Sequence, residues 1–285
     1  MANKITYCLW GVAGFVARRH VEAIYKTGGE LIGVMDPFDC VGFLDSFDKG
    51  IEFFTDEEEF KGFCIQNKPD YVVICTPNYL HKEQCLFGLS IGSDIICEKP
   101  LVLSPSHLGE LVDVELSTGR KINTILQLRL NPVLQGLRCE VEGSKKYHEV
   151  EILYQTPRGR WYSKSWKADE ERSGGIATNI GIHLFDLCQW IWGSVQDIQL
   201  KTKTTTSVIG DLFLEKAHIT FNLGIEGVAS NRSLKIGKRK IEFSKGFVSA
   251  HTLSYQKILV GKGFGLVDAL PSIVLCDQIR KLVVN

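Results

Sequence analysis

Through the first 130 residues, short continuously apolar runs alternate with longer amphipathic stretches. Strands are expected at 5–11, 31–36, 51–56, 70–77, 94–100 and 122–130, and helices at 15–27, 56–66, 80–92 and 104–117. A strand covered on both faces needs no polar alternation, so this series indicates βαβ units and a doubly wound parallel sheet. After residue 131 apolar and polar positions alternate at 148–156, 195–204, 216–223, 226–234 and 240–244, the pattern of an antiparallel sheet with one wet face. Helices are expected at 181–192, 249–260 and 266–283, and TTTSVIGDLFLEK reads as a shortened connection between strands. The expected fold class is α/β, with a doubly wound parallel sheet over 1–130 and an α+β domain on a mostly antiparallel sheet over 131–285.

Composition narrows the function classes. A chain of 285 residues with 44% hydrophobic and 23% charged residues has the balance of a globular protein of two domains. Thirty-three basic residues offset 33 acidic ones, which argues against a general nucleic-acid binder. No apolar run approaches the roughly 18 residues of a membrane span, and the N-terminus does not read as a secretory signal. Nine cysteines cannot all pair, none forms CxxC, and Cys8, Cys75, Cys97 and Cys188 lie in apolar surroundings. Reduced thiols in a cytoplasmic protein are expected, with no metal site.

The first strand runs into GVAGFVARRH, a glycine turn of spacing G-x-x-G-x-x-A that leads into a helix. Gly11 permits the sharp turn, Gly14 lets backbone approach a pyrophosphate, and Ala17 allows close helix packing. The free N–H groups of the helix start favour an anion. Asp36 closes the second strand, where a carboxylate accepts from ribose hydroxyls and repels the extra phosphate of NADP. A dinucleotide-binding Rossmann domain that takes NAD is the expectation. Ligands of such sheets bind at the carboxyl ends of strands, where both CTPN (75–78) and CEKP (97–100) fall. Lys99 then projects towards the nicotinamide half, where burial and a cationic ring disfavour its ammonium and suit it to accept a proton. The bland alternative is a Lys99–Glu98 ion pair at a strand exit.

The glycine turn, CTPNYLH, CEKPL and GGIATNIGIHLFDLCQW together resemble the Gfo/Idh/MocA family of NAD(P)-dependent oxidoreductases over nearly the whole chain. The resemblance implies Lys99 and His183 as catalytic residues. It implies cofactor contacts at Gly11, Gly14, Phe15, Val16, Asp36, Thr76, Asn78, His81, Glu98, Lys99 and Gln127. Asn179 stands where many members have aspartate; at i and i+4, Asn179 and His183 are expected on one helical face. An asparagine supplies hydrogen bonds without charge, which leaves Lys99 the better base.

RGRWYSKSWKADEERSGGIATNIGIHLFD (158–186), NTILQLR (123–129), EFSKGF (242–247) and HTLSYQKILVGKGFG (251–265) are similar to the WlbA/WbpB subgroup. That similarity implies oxidation of UDP-N-acetyl-2-amino-2-deoxyglucuronate at carbon 3 to the 3-keto sugar, in the biosynthesis of diacetamido-uronate sugars for bacterial lipopolysaccharide O-antigen. The chemistry is compatible: Arg158, Arg160, Lys164 and Lys167 share one loop with Trp161, Tyr162 and Trp166, able to meet phosphate and carboxylate and to stack on uracil or a sugar face. Arg129 is a second expected anion contact, and Asn179, His183 and Lys99 complete the expected substrate contacts. The partners implied are a small UDP-sugar and further copies of the chain, a dimer or tetramer through the C-terminal sheet. Two rivals stay open: a dehydrogenase of another sugar or polyol, and an NAD-binding regulator without turnover.

Overall fold

Six apolar runs become the strands of one parallel sheet: β1 (Thr6–Trp10), β2 (Glu30–Met35), β3 (Glu52–Phe54), β4 (Tyr71–Ile74), β5 (Asp94–Cys97) and β6 (Ile122–Thr124). Their order is β3-β2-β1-β4-β5-β6, so the strand order reverses beside β1 and leaves a crevice at the strand ends. The computed structural model describes residues 4–47, 50–242 and 249–284. In the central strands Leu9, Val73 and Ile96 have no exposed surface, which is why these runs show no polar alternation. The connecting helices are α1 (Ala17–Lys26), α2 (Glu57–Asn67), α3 (His81–Ser90) and α4 (Pro105–Thr118). Ala17, Val21 and Ile24 of α1 pack into the same core as Leu9, Val34, Val73 and Ile96.

The second sheet holds β7 (His148–Gln155), β8 (Val195–Lys203), β9 (Ser207–Leu214), β10 (Ala217–Gly224), β11 (Asn231–Ile236) and β12 (Arg239–Glu242), in the order β12-β11-β7-β10-β9-β8. Only β7 and β10 pair in parallel; the other pairs are antiparallel. With these strands go helices α5 (Pro132–Glu142), α6 (Glu170–Ser173), α7 (Gly175–Asn179) and α8 (Ile182–Trp192). One face of β10 buries Ile219, Phe221 and Leu223, and the Phe221 ring meets Phe185 of α8 edge-on at 5.4 Å. The chain closes with α9 (Ala250–Leu259) and α10 (Leu266–Lys281).

Contacts divide the chain into two compact units. The first comprises 1–102, 106–125 and His251–Asp268, and the second 103–105, 126–250 and Ala269–Asn285. A single cut at residue 130 therefore misses the return of 251–268, whose Tyr255 and Ile258 belong to the first core.

Three expected elements differ. The strand expected over 122–130 ends at Thr124, and Gln127–Leu130 is a 3-10 turn; the spacing of Leu126, Leu128 and Leu130 that reads as a pleat serves instead to bury all three around that turn. TTTSVIGDLFLEK is not a shortened connection but carries β9, which buries Val208, Gly210, Leu212 and Leu214; the Thr204 hydroxyl accepts the N–H of Ser207 at 2.9 Å and closes the β8–β9 turn. The strand expected from 226 starts at Asn231, after a left-handed Gly227 (φ +105°). Beyond Glu242, the expected strand to 244 and most of EFSKGF (242–247) lie outside the described residues.

Candidate active site

In the first unit the glycine turn is set by close backbone contact. Gly11 takes φ +84°, and a Cβ there would sit 2.8 Å from the Cys75 carbonyl carbon and the Thr76 nitrogen. A Cβ on Gly14 would meet the Gly11 carbonyl at 3.0 Å, so this glycine is required by the turn itself as well as by any ligand. Val16 supplies no side-chain cap to α1 and the first turn holds no acid; the Ala17 and Arg19 N–H groups bond back to the Gly14 and Val16 carbonyls at 3.1 and 2.9 Å, and the positive end of the helix dipole still favours an anion. Phe15 is 92% exposed beside them. Asp36 accepts the Ala13 N–H on Oδ2 at 3.0 Å and the Phe38 N–H on Oδ1 at 3.1 Å. The expected ribose acceptor is thus also a strut of the glycine turn. A tight Cβ-free turn, an uncapped helix start and a carboxylate at the end of β2 fit a dinucleotide.

The two strand-end segments are tied together by His81. Its Nδ1 lies 2.7 Å from the Pro100 carbonyl and its Nε2 2.9 Å from the Thr76 carbonyl. The ring is 1% exposed, and burial pushes its pKa down against the pull of those carbonyls. Its visible work is to join CTPN to CEKP, a different duty from the cofactor contact expected of it. Thr76 donates its hydroxyl to Gln84 at 2.6 Å, and Asn78 is buried. Lys99 is half-buried, at a cis Lys99–Pro100 bond. The Glu98 carboxylate is engaged by other groups: Oε1 lies 3.1 Å from Nε2 of both His20 and His251, and Oε2 accepts the Lys99 backbone N–H at 3.2 Å. Burial pushes the Glu98 pKa up, but the two imidazoles outweigh it and hold the carboxyl well below its ordinary range.

In the second unit Asn179 and His183 do not share one helix. Asn179 ends α7 and His183 stands in the first turn of α8. The step falls at Gly181, whose N–H reaches back to the Ile176 carbonyl and where a Cβ would lie 2.5 Å from the Ala177 carbonyl oxygen. Asn179 donates its amide to the Tyr162 hydroxyl at 3.1 Å, which joins the α7 end to the basic loop. His183 is half-buried, and Gln127 is half-buried on the 3-10 turn. Arg129, expected to meet an anionic ligand, instead forms a fork with buried Asp186, at 3.1 Å from Nε and 2.7 Å from Nη2. A buried guanidinium needs such a partner more than an arginine in water does.

Among the described residues, no carboxylate forms an ion pair with the cations of the loop 158–167. Lys167 lies 4.5 Å from the Trp166 ring centroid and 5.7 Å from that of Trp161, in cation–π range. Its pKa is pushed down by burial and by Arg158; that of Arg158 falls through burial, with Arg232 adding repulsion. Arg160, Trp161 and Lys164 are exposed, and Tyr162 is buried. Three residues of interest escaped the sequence reading. Arg232 of β11 stacks 4.9 Å over Tyr154, and its buried Nε has no partner among the described residues. His20 and His251 sit in the quoted GVAGFVARRH and HTLSYQ motifs, but their shared partner is far away in sequence.

Residues 5–125 match the Gfo/Idh/MocA family described as an oxidoreductase family with NAD-binding Rossmann fold, and 143–231 match its C-terminal alpha/beta domain. The chain is similar to the WlbA (WbpB) dehydrogenase of Thermus thermophilus. One structure of that enzyme, in complex with NAD and UDP-GlcNAcA, shows 38% identity and a TM-score of 0.95 over 98% of this chain and 96% of that one. A second, with NAD and alpha-ketoglutarate, shows 39% identity at the same TM-score and coverage. A curated relative, 1,5-anhydro-D-fructose reductase of Ensifer adhaerens, is 28% identical over 64% of this chain and 56% of its own length. The chain spans about half the length, or less, of the first curated relatives it matches.

Proposed function

This chain belongs to the Gfo/Idh/MocA family of NAD-dependent oxidoreductases, and on that premise we propose that it oxidises the carbon-3 hydroxyl of UDP-N-acetyl-2-amino-2-deoxyglucuronate to the 3-keto sugar. The product would serve the making of diacetamido-uronate sugars for lipopolysaccharide O-antigen. The observation that carries this reading is the cation–aromatic loop: Arg158, Arg160, Lys164 and Lys167 share ten residues with Trp161, Tyr162 and Trp166, and the Lys167 ammonium lies 4.5 Å from the Trp166 ring centroid. Like charges held together in a chain of zero net charge favour a polyanionic ligand. A nucleoside diphosphate joined to a uronate is one, and Trp161 and Trp166 offer faces for its base or sugar.

In the proposed reaction the Lys99 amine accepts the hydroxyl proton while His183 holds that hydroxyl in place. NAD, when bound, supplies the acceptor for the hydride released from carbon 3. Gly11, Gly14 and the start of α1 hold the diphosphate, and Asp36 selects the ribose without a 2′-phosphate. Arg158, Arg160, Lys164 and Lys167 hold the substrate's diphosphate and carboxylate.

The test is NADH absorbance and binding with UDP-N-acetylglucosaminuronate against UDP-N-acetylglucosamine. Losing one charge-assisted pair costs about 1.5–3 kcal/mol, so the uronate should bind roughly ten- to a hundredfold tighter. Equal affinity would favour a general sugar or polyol dehydrogenase. Binding of NAD without turnover of any sugar would favour a regulator.

A further inference from the structure

Four side chains of the first unit converge behind Lys99. Glu98 lies directly after β5, with its main-chain N–H bonded to the Ile74 carbonyl at 3.0 Å and 8% of its surface exposed. Its Oε1 faces two imidazoles, His20 of α1 and His251 of α9, each through Nε2 at 3.1 Å. Their rings meet edge-on with centroids 4.8 Å apart. His20 Nδ1 lies 2.9 Å from the Tyr255 hydroxyl, and His251 Nδ1 is buried without a partner among the described residues.

Proton counting fixes the state of this cluster. A carboxylate oxygen only accepts, so both Nε2 atoms carry a proton. Burial then favours the neutral ring of His20 over imidazolium, leaving its Nδ1 bare. Tyr255 donates to the bare nitrogen of His20, and a proton on His251 Nδ1 would be a buried donor with no acceptor among the described residues. The other titratable groups that act with Glu98 are the Cys75 and Cys97 thiols, the Tyr255 phenol and His81; burial is the leading influence on all four and favours their neutral forms. Glu98 itself is therefore held as the carboxylate. Its second oxygen holds the backbone N–H of Lys99.

We propose that His20 and His251 are positioning residues for Lys99: together they pin Glu98 as a fixed carboxylate, whose free oxygen anchors the Lys99 main chain and whose charge sets the proton affinity of the Lys99 amine. This inference rests on the reading of Lys99 as the proton acceptor. The same three ligand atoms lie within 4.8 Å of one another and are of types that bind zinc. Separations of 3.1 Å are also those of ordinary N–H···O bonds, and hydrogen bonding accounts for every proton.

The experiment is single-turnover NADH formation against pH with the nucleotide sugar, for wild type, Glu98→Gln, His251→Phe, His251→Gln and Lys99→Met. Removing a negative charge lowers the proton affinity of a neighbouring amine, so the acid limb of the Glu98→Gln profile should move about one pH unit lower. The maximal rate should fall about tenfold or more. His251→Phe should move the limb in the same direction, and His251→Gln, which keeps an N–H donor, should restore it. Unmoved limbs in both Glu98→Gln and His251→Phe overturn the inference while leaving Lys99 as base. Turnover by Lys99→Met at the wild-type rate overturns the reading beneath it instead. Histidine-selective nitrogen-15 NMR of the wild type needs no variant to fold. It should show His20 and His251 as Nε2–H tautomers at pH 8. An Nδ1–H tautomer at either ring, or one equivalent of zinc retained by the purified protein, overturns the proposal.

Discussion

Asp36 has two duties: it is the expected ribose acceptor and it accepts two backbone N–H groups, of Ala13 and Phe38. Asp36→Ala should therefore weaken NAD, narrow the NAD-over-NADP preference, and lower the urea midpoint as well. A buried donor left unpaired costs about 1–3 kcal/mol, so the stability loss should be visible beside the change in cofactor preference. Equal NAD and NADP dissociation constants in the wild type would remove the selective role and leave Asp36 a strut. At Lys99 the expectation is simpler. Lys99→Met should keep NAD binding and reduce single-turnover hydride transfer by about 10²–10⁴-fold, the contribution of a placed acid–base group. A near-normal rate would pass the role of base to His183. Gly11, Asp36 and Lys99 were legible because each owes its chemistry to neighbours in its own motif. His20 and His251 were not, because the carboxylate they share is 78 and 153 residues away. Arg129 misled in the opposite direction: a strand-end arginine reads as an anion contact until Asp186, 57 residues on, is seen to occupy it.

The same distinction between local and distant causes runs through the elements. The central parallel strands β1, β4 and β5 were legible as apolar runs, since cover on both faces leaves no alternation to confuse; β6 stops at Thr124, short of its expected end, and β3 leaves Glu52 exposed. β9 was not, because its Gly210 and Asp211 interrupt the run; a Cβ at Gly210 would lie 2.4 Å from the Gln199 carbonyl oxygen, so the glycine belongs to the β8–β9 pairing. The Asn179–His183 face was inferred from one unbroken helix, and the step at Gly181 depends on Leu223 and Phe185, contacts that only the packed fold supplies. α5 passed unread although its start is marked in the sequence. Asn131 accepts the Val133 and Leu134 N–H groups at 2.9 and 3.4 Å, and Pro132 occupies the first helical position. Asn131→Ala should lower stability by about 1 kcal/mol, read as a lower urea midpoint at unchanged slope. An unchanged midpoint would mean that packing of Leu134, Leu137 and Val141 holds α5 without its cap.

For the whole molecule, equal numbers of acidic and basic residues leave little net repulsion at neutral pH, so the first response to acid comes from individual histidines. No helix among the described residues is long and apolar enough to cross a membrane, and the mass of 31.9 kDa allows a proposed homo-oligomer to be read by sedimentation as a multiple of that value. Acid stability is the sharper test of the buried network. Burial pushes the pKa of His20 and of His81 below the ordinary histidine value near 6.5. Below that value the unfolded chain binds protons that the folded chain refuses, so stability falls as pH falls. Each such proton contributes a slope of up to about 1.4 kcal/mol per pH unit. His218 acts in the opposite sense. Burial lowers its pKa, but Asp211 and Glu149 outweigh this and raise it, so its contribution is complete below 6.5 and lost as pH rises through the raised value. His218 stands partly exposed, and solvent screens its pairs, so the two buried rings should win. Urea midpoints should decline from pH 7.5 through 6.5 to 5.5, and more steeply in His218→Gln, which removes the opposing residue. Stability that holds level or climbs over that interval would mean that His20 and His81 accept their protons inside the fold. His20 would then not act as a neutral ring on Glu98 at mildly acid pH.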